Sequence, residues 1–398
     1  MILSAEFILS VSMIALIVLA LFELKVHGPE VNIQWRSTLK ENWQAYKLQR
    51  IWWVISIPFF LVLLTGIYSS DWDYLLERLR IKLPFLVLPF AFLSMPKLKK
   101  KECYAIFYFL LIIMSAVCVH VGMNYLADYD RINDIIGRGQ PMPTPSNHIR
   151  FSLTLAMTII GGLALMRDKF YFSSPSEKWL IRVLTLFLFV FIHVLSVRSG
   201  ILALYLGLFV VGIHHAFATR RYWLAFAVAG ALVALPFMAY HTIPSFQEKI
   251  NYARWDFLQY QQDQGGQYSD SERITSLKVG WEIAQENLIF GIGAGDLKSA
   301  VKELYATKYA GQYSYRMPHN QFLSILGGTG VLGLLLFLSA FLYPLFYKKN
   351  YSNALFLALH AIIFMSFMME NTIENNFGIS LYLFFLLIGV NYLNKSAK

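Results

Sequence analysis

Residues 179–217 read WLIRVLTLFLFVFIHVLSVRSGILALYLGLFVVGIHHAF, two apolar runs separated by Arg198 and Ser199. Each run approaches the ~20 apolar residues that a helix needs to cross the hydrocarbon core of a bilayer. Eleven blocks of this kind occur along the 398 residues. They are 2–22, 51–69, 83–96, 103–124, 149–166, 179–197, 200–217, 222–240, 318–346, 353–370 and 378–393. The sequence therefore predicts an all-α integral membrane protein in which residues 1–398 form a single polytopic domain of about 11 (10–12) transmembrane helices.

The composition excludes several other classes of protein. The chain is 57% hydrophobic and 15% charged, whereas soluble domains are roughly 45–50% apolar and about 25% charged. This excludes a soluble enzyme and a disordered protein. The net charge of +10 could suggest a nucleic-acid partner, but in a membrane protein it first reflects basic cytoplasmic loops. We therefore expect no nucleic-acid binding.

Lysine and arginine are unevenly distributed between two alternating sets of connections. One set holds 18 of them, and the short loops of the other set hold 7. The positive-inside rule places the first set in the cytoplasm, with the N-terminus outside and the C-terminus inside. The long connection 241–317, between the eighth and ninth helices, then lies outside. A loop of this length is far longer than an ordinary connection, so we expect it to carry function.

Polar segments of the outer side are also predicted to be helical. Residues 71–82 predict a short amphipathic helix on the outer surface, separate from the membrane block 83–96. Within the long loop, 246–260 and 271–287 have helical character, and Ser271 is a plausible N-cap of the second helix.

Two outer arginines are candidates for binding an anion. Ionisable residues in a membrane protein are costly unless they are paired or face a cavity. Arg198 follows a long apolar run, and Arg273 is predicted in the first turn of a loop helix, where the helix dipole disfavours a cation unless an anion binds there. Clustered arginines suit bidentate recognition of phosphate. The alternatives are a snorkelling arginine and a solvated surface arginine.

His319 is the candidate general base. It opens the ninth helix after Pro318, and Asn320 and Gln321 could orient its imidazole. A histidine ordinarily titrates near neutrality, which suits proton abstraction, although a helix-capping role is the alternative. The sequence shows no nucleophilic serine or cysteine with a partner. Direct displacement therefore fits better than a covalent intermediate.

Four further outer residues are candidates for substrate binding. His148 and Arg150 open the fifth helix after a proline-rich turn. Glu370 and Glu374 are spaced i, i+4 at the end of the tenth helix, so we expect them to share a face and to counter the arginines or bind an acceptor. No cluster has the spacing of a zinc site, and we predict neither a metal nor another cofactor.

Three motifs in this order resemble the O-antigen ligase and polymerase superfamily of polytopic glycosyltransferases. They are Ser196-Val-Arg-Ser-Gly200, then Arg273 with Trp281 and Leu288-Ile-Phe-Gly-Ile-Gly-Ala-Gly-Asp296, then Pro318-His-Asn-Gln-Phe-Leu323 with Gly327-Gly-Thr-Gly-Val-Leu-Gly333. The resemblance covers about residues 140–345. It implies a multi-pass protein of the bacterial inner (cytoplasmic) membrane with its active site facing the periplasm. Ligases of this kind usually have twelve helices.

The resemblance also implies roles for the candidate residues. The donor would be a glycan linked to undecaprenyl pyrophosphate, held through its pyrophosphate by Arg198 and Arg273. His319 would deprotonate the acceptor hydroxyl, which attacks the anomeric carbon with inversion and without a metal. The acceptor would be lipid A–core, as in O-antigen ligation, and Arg150 matches the family less clearly.

Other functions stay open at this point. A polymerase of the same fold would use another lipid-linked repeat unit as acceptor, and a protein O-oligosaccharyltransferase would use a protein. A transporter, from a different class, should carry charges near mid-membrane and often an inverted repeat. The charges here gather at one face and no repeat is visible, so the sequence favours a transferase.

Overall fold

The structure is a computed structural model that describes residues 6–27, 30–262, 264, 266, 268–310 and 312–393. It is 79% helical, with a single β-hairpin among the described residues, formed by antiparallel strands β1 Phe22–His27 and β2 Glu30–Trp35. The helices, in chain order, are α1 Glu6–Leu21, α2 Leu39–Leu48, α3 Arg50–Thr65, α4 Trp72–Ser94, α5 Lys100–Ala127, α6 Tyr129–Gly137, α7 His148–Arg167, α8 Glu177–Leu195, α9 Arg198–Thr219, α10 Trp223–Thr242, α11 Pro244–Gln261, α12 Ser269–Glu286, α13 Leu297–Lys308, α14 Gln321–Phe346, α15 Ala354–Met369 and α16 Asn376–Leu393. The all-α prediction is confirmed apart from this hairpin.

The described helices make a multi-pass membrane protein. Seven are long and apolar enough to cross a membrane, namely α5, α7, α8, α9, α10, α14 and α16, and the α2–α3 pair, bent by 79°, would be an eighth. Each of the eleven apolar blocks contains a helix, but α1 and α15 are shorter and α4 carries charges. A total of about eleven spans therefore stays a prediction. The predicted sides of the two termini concern residues 1–5 and 394–398, outside the described residues.

Helix α4 corrects the prediction of two separate segments. It runs unbroken from Trp72 to Ser94 and therefore joins the expected surface helix 71–82 to the block 83–96. Asp71 caps its first turn by accepting a hydrogen bond from the N–H of Tyr74. Only the end of the polar half enters the bundle, where the buried Lys82 meets a carboxylate. Sequence polarity alone had suggested an exposed helix.

Helix α7 lies at the centre of the bundle and packs against α5, α8, α9 and α15. Of its most apolar 18 residues 78% are buried, against 6% for α10, which leaves α10 as a lipid-facing helix. Close packing of α7 against α9 depends on Gly200, since a Cβ there would lie 2.4 Å from the Cβ of Ser152. This contact fixes the start of α9, where Arg198 stands.

The connection between α10 and α14 folds over one end of the bundle, which we call the loop-side end. It contains α11, α12 and α13, and the last two share a small core that includes Val279, Ile283 and Val301. A glycine-rich turn follows α12 and pairs with α14, because the N–H groups of Ile292 and Gly293 donate to backbone carbonyls of that helix. The described helices of this connection are therefore packed into the fold.

The start of α12 differs from the prediction. The helix begins at Ser269 rather than Ser271, with Tyr268 at the N-cap position. The cap comes from another helix: Asp256 of α11, fully buried, accepts hydrogen bonds from the N–H groups of Asp270 and Ser271. Arg273 consequently lies just beyond the first turn, so the helix-dipole argument made for it from the sequence was wrong.

Candidate active site

Five connections meet at the loop-side end. They follow α3, α6, α8, α10 and α15, and hydrogen bonds join them across more than 50 residues of sequence. The alternation of helices predicted from the sequence puts the same five connections on one side. Two cavities lie among them. The first, which we call the histidine cavity, has a volume of about 270 Å³ and is lined by His148 and His319. The second, the tyrosine cavity, has a volume of about 400 Å³ and is lined by Tyr74 and Tyr315.

The histidine cavity brings together five of the seven predicted site residues and three that were not predicted. Its ionisable lining is His148, Arg198, Lys249, Asp270, Arg273, Arg316, His319 and Glu370. Four basic side chains thus face two carboxylates, apart from the two histidines. This surplus of positive charge in a partly enclosed space suits an anionic ligand.

The imidazole of His319 is held by Glu370. Its Nδ1 lies 3.2 Å from Oε2 of Glu370, and the His319 backbone N–H donates to the hydroxyl of Ser276. A carboxylate accepts the Nδ1 proton, which leaves Nε2 as the basic nitrogen of the neutral ring. Burial would raise the pKa of Glu370, but contacts with His319 and Arg273 outweigh it and hold that pKa below its usual range.

The sequence prediction assigned this orienting role to the wrong neighbours. Asn320 caps α14 by accepting from the N–H of Leu323, and its amide donates to the carbonyl of Met368. Gln321 donates to Glu374 and accepts from the N–H of Ile373. Both amides are therefore committed to backbone and carboxylate partners. The physical reason is that α14 starts at Gln321, so its first residues serve the helix end.

Each arginine of the histidine cavity is paired with one carboxylate. Arg198 makes a two-pronged contact with Asp270, with Nη1 2.7 Å from Oδ2. Arg273 donates to Glu370 at 2.6 Å and to the carbonyl of Met369, and Arg316 contacts Glu272. These guanidinium groups are 27–40% exposed. A partly exposed arginine can exchange a carboxylate for a phosphate, because both offer the same pair of oxygens.

Arg198 stands where a two-residue turn ends. Ser196 adopts the left-handed conformation, with φ of 53°, and terminates α8, so that Arg198 is the first residue of α9. The sequence had placed the break at Arg198 and Ser199, which are instead the first two residues of α9. The turn aims the guanidinium at the loop helix α12 and not along the membrane surface.

Lys249 of α11 is a basic residue that the sequence did not single out. Its amine donates to the carbonyl of Gly139 at 2.8 Å. Burial, followed by the nearby charge of Arg198, lowers the pKa of Lys249 to about 8. The amine is therefore poised to change charge just above neutral pH.

Arg150 and Glu374 line the tyrosine cavity instead. Helix α15 ends at Met369, and the chain is extended at Glu370 before a 3₁₀ turn that contains Glu374. The expectation that Glu370 and Glu374 share a helix face was therefore wrong. They point into different cavities because the helix stops one residue before the first of them. Arg150 lies over the ring of Phe377, 5.9 Å from its centroid.

Comparison with known proteins identifies the central part of the chain. Residues 183–338 match the family described as O-antigen ligase. This central part of the chain is therefore similar to O-antigen ligases. Members are O-antigen ligases or polymerases, which act as glycosyltransferases on lipid-linked glycans within the membrane. No curated protein matches the chain.

The matched range contains three of the predicted site residues, Arg198, Arg273 and His319. Glu370 and His148 lie outside the matched range but reach the same cavity through the fold. Among the unpredicted residues, Arg316 could have been suspected from its position three residues before His319. Lys249 carried no signal, because α11 looks like an ordinary amphipathic helix. The described part of the chain offers no group of His, Cys, Asp and Glu suited to a metal.

Proposed function

We propose that this protein is an O-antigen ligase that transfers a glycan from undecaprenyl pyrophosphate to a hydroxyl of lipid A–core. The reaction takes place on the periplasmic face of the bacterial inner membrane, without a metal and with inversion at the anomeric carbon. In this orientation the N-terminus is periplasmic and the C-terminus cytoplasmic. The observation that carries the proposal is the His319–Glu370 pair in the same cavity as three arginines.

The arginines supply the donor site. Arg198 and Arg273 bind the oxygens of the pyrophosphate, and Arg316 and Lys249 add positive charge from the same wall. The donor must displace Asp270 from Arg198 as it binds, since that guanidinium is otherwise occupied. The cations are then close to the oxygen on which negative charge develops, and fixed charges of this kind commonly provide a large part of catalysis.

His319 supplies the base. Its Nε2 takes the proton of the acceptor hydroxyl while that oxygen forms a bond to the anomeric carbon. The bond from this carbon to the phosphate oxygen breaks at the opposite face, and undecaprenyl pyrophosphate leaves with the electron pair. Glu370 is a positioning residue, because its carboxylate fixes the ring and stabilises the imidazolium. The imidazolium afterwards returns its proton to water.

The first test uses surface glycolipids of cells that lack the gene. Complementation with the wild type, with His319→Ala or with a matched His215→Ala control is compared on gels, since His215 is exposed on α9 away from both cavities. We expect His319→Ala cells to carry bare core and to accumulate long lipid-linked chains, while the control restores ligation. Protein level in the membrane is measured in each strain.

Two other results would change the conclusion. Core that bears a single repeat unit would identify a polymerase, because transfer would be intact and chain growth lost. Normal glycolipid in the null strain, together with loss of a glycosylated protein, would identify a protein O-oligosaccharyltransferase. Chelator treatment of the purified enzyme should leave transfer unchanged, and a loss restored by a divalent ion would contradict the metal-free reaction.

A further inference from the structure

We propose that the tyrosine cavity binds a negatively charged sugar of the acceptor, bearing a carboxylate or a phosphate. The inference rests on the proposed transferase function, because it assigns to the second cavity the substrate that receives the glycan. The cavity is the larger of the two, at about 400 Å³. That volume is within the range of small-molecule sites.

Its charge favours an anion. Arg78, Lys82, Arg150 and Lys298 line the cavity, against the carboxylates of Glu77 and Glu374. Lys298 makes no salt bridge within the described part of the chain, and its amine lies 5.1 Å from the ring centroid of Tyr74. Arg78 contacts both carboxylates, yet its Nε is buried with no hydrogen-bond partner among the described residues. A ligand oxygen would satisfy this donor, which is otherwise costly to bury.

The floor of the cavity is fixed by a buried ion pair. Lys82, 3% exposed, donates to Glu374 at 2.6 Å and to the carbonyl of Ile373. Gln321 also donates to Glu374, at 2.9 Å. Burial would raise the pKa of Glu374, but Lys82 and Arg78 hold it below its usual range. Lys82, Gln321 and Glu374 satisfy one another, so the amine of Lys298 and the Nε of Arg78 are the donors that favour a ligand here.

Aromatic rings supply part of the walls, beside aliphatic side chains such as Leu61 and Ile325. Tyr74 and Tyr315 line the cavity, and the guanidinium of Arg78 lies 4.7 Å from the Tyr74 ring centroid. Aromatic rings combined with a few polar groups are typical of pockets that hold a ligand in one orientation. The Tyr74 ring, flanked by Arg78 and Lys298, offers a charged sugar both a flat face and two cations.

The two cavities are separated by a thin partition. Residues 314–318 are in neither helix nor strand; Tyr315 and Met317 line the tyrosine cavity, while Arg316 lines the histidine cavity. Alternation of this kind is expected where side chains of an extended segment point to opposite sides. A small cleft between the cavities is lined by Arg150, which also lines the tyrosine cavity, and by Glu370, which also lines the histidine cavity. An acceptor in the tyrosine cavity would therefore lie next to the base and the donor.

The test measures binding to the full-length protein in nanodiscs by titration calorimetry. The probes are methyl glucuronide, glucose 6-phosphate and neutral methyl glucoside, with farnesyl-pyrophosphoryl-glucose as the donor probe. We expect the charged sugars to bind at least tenfold more tightly than the neutral one. Lys298→Gln should weaken the charged sugars about tenfold and leave the donor probe unchanged. Lys308→Gln, on the same helix but paired with Glu282, is the matched control.

Arg198→Gln provides the reciprocal measurement, since it should weaken the donor probe and not the charged sugars. The tighter of the two charged sugars identifies a carboxylate or a phosphate as the recognised group. The inference would be overturned if charged and neutral sugars bound equally, or if Arg198→Gln but not Lys298→Gln lost sugar binding. In either case, binding of the donor probe by the wild type would leave the proposed function standing. Absence of donor binding in the wild type would overturn the proposed function as well.

Discussion

The two cavities use similar ions in different ways. In the histidine cavity, Arg198 and Arg273 are about one-third exposed, and each has one carboxylate partner. In the tyrosine cavity, Lys82 is 3% exposed and shares Glu374 with Arg78 and Gln321. Exposed pairs contribute little to stability and can exchange partners, whereas loss of one member of a buried pair leaves an uncompensated charge. The partly exposed pairs of the histidine cavity are suited to exchanging a carboxylate for an anion, whereas the Lys82–Glu374 pair holds the floor of the tyrosine cavity in shape.

The largest expected effect is on stability at the tyrosine cavity. Lys82→Met should lower the free energy of unfolding by about 3–5 kcal/mol, because it leaves the Glu374 carboxylate buried without its main partner. Lys82→Met combined with Glu374→Gln should regain most of this loss. The measurement is SDS-induced unfolding in mixed micelles. If the double variant were no more stable than the single one, the pair would not be the cause.

Arg198→Gln should lower the rate of transfer without lowering the free energy of unfolding. We expect transfer to fall about 10²–10³-fold, as is usual when a group that stabilises developing charge is removed, with an unchanged free energy of unfolding. The assay follows glycan transfer by purified protein under saturating acceptor. Arg138→Gln is the control, since its guanidinium forms an exposed pair with Asp134. A folded Arg198→Gln protein with wild-type transfer would end the idea of a pyrophosphate clamp.

The pH dependence of donor binding tests Lys249. The amine of the free protein has a pKa of about 8, so it is charged at pH 7 and loses its proton as the pH rises. Affinity for farnesyl-pyrophosphoryl-glucose, whose own charge is constant in this range, should fall by up to about tenfold per pH unit above pH 8. Lys249→Gln should bind weakly and show no such slope. An equal slope in both proteins would assign the titration to another group.

The smallest effect is expected at Asp270, which competes with the donor for Arg198. Asp270→Asn removes that charge, and we expect the donor probe to bind about fivefold more tightly, since a partly exposed pair that is screened by solvent contributes about 1 kcal/mol. Asp134→Asn, from the exposed pair with Arg138, serves as the comparison. Weaker binding in Asp270→Asn would mean that Asp270 holds Arg198 in its binding position and does not compete.

The sequence singled out much of the lining of the histidine cavity. Arg198, Arg273 and His319 were proposed because each is an ionisable residue at the end of an apolar or helical segment. The order of the motifs around them also resembles one family. For the tyrosine cavity the sequence was misleading, since the charges of 71–82 suggested a surface helix. Their compensation by Glu374 comes from nearly 300 residues further along the chain.

The sequence by itself determined the class of the protein, because apolar runs of membrane length are a local property that needs no partner. It also determined which end of the bundle carries the candidate chemistry. The tertiary structure decided the pairings: Glu370 with His319 and Arg273, Asp270 with Arg198, and Lys82 with Glu374. The physical reason is that these ions are far apart in the chain. A local sequence pattern therefore cannot predict which carboxylate will pair with which cation.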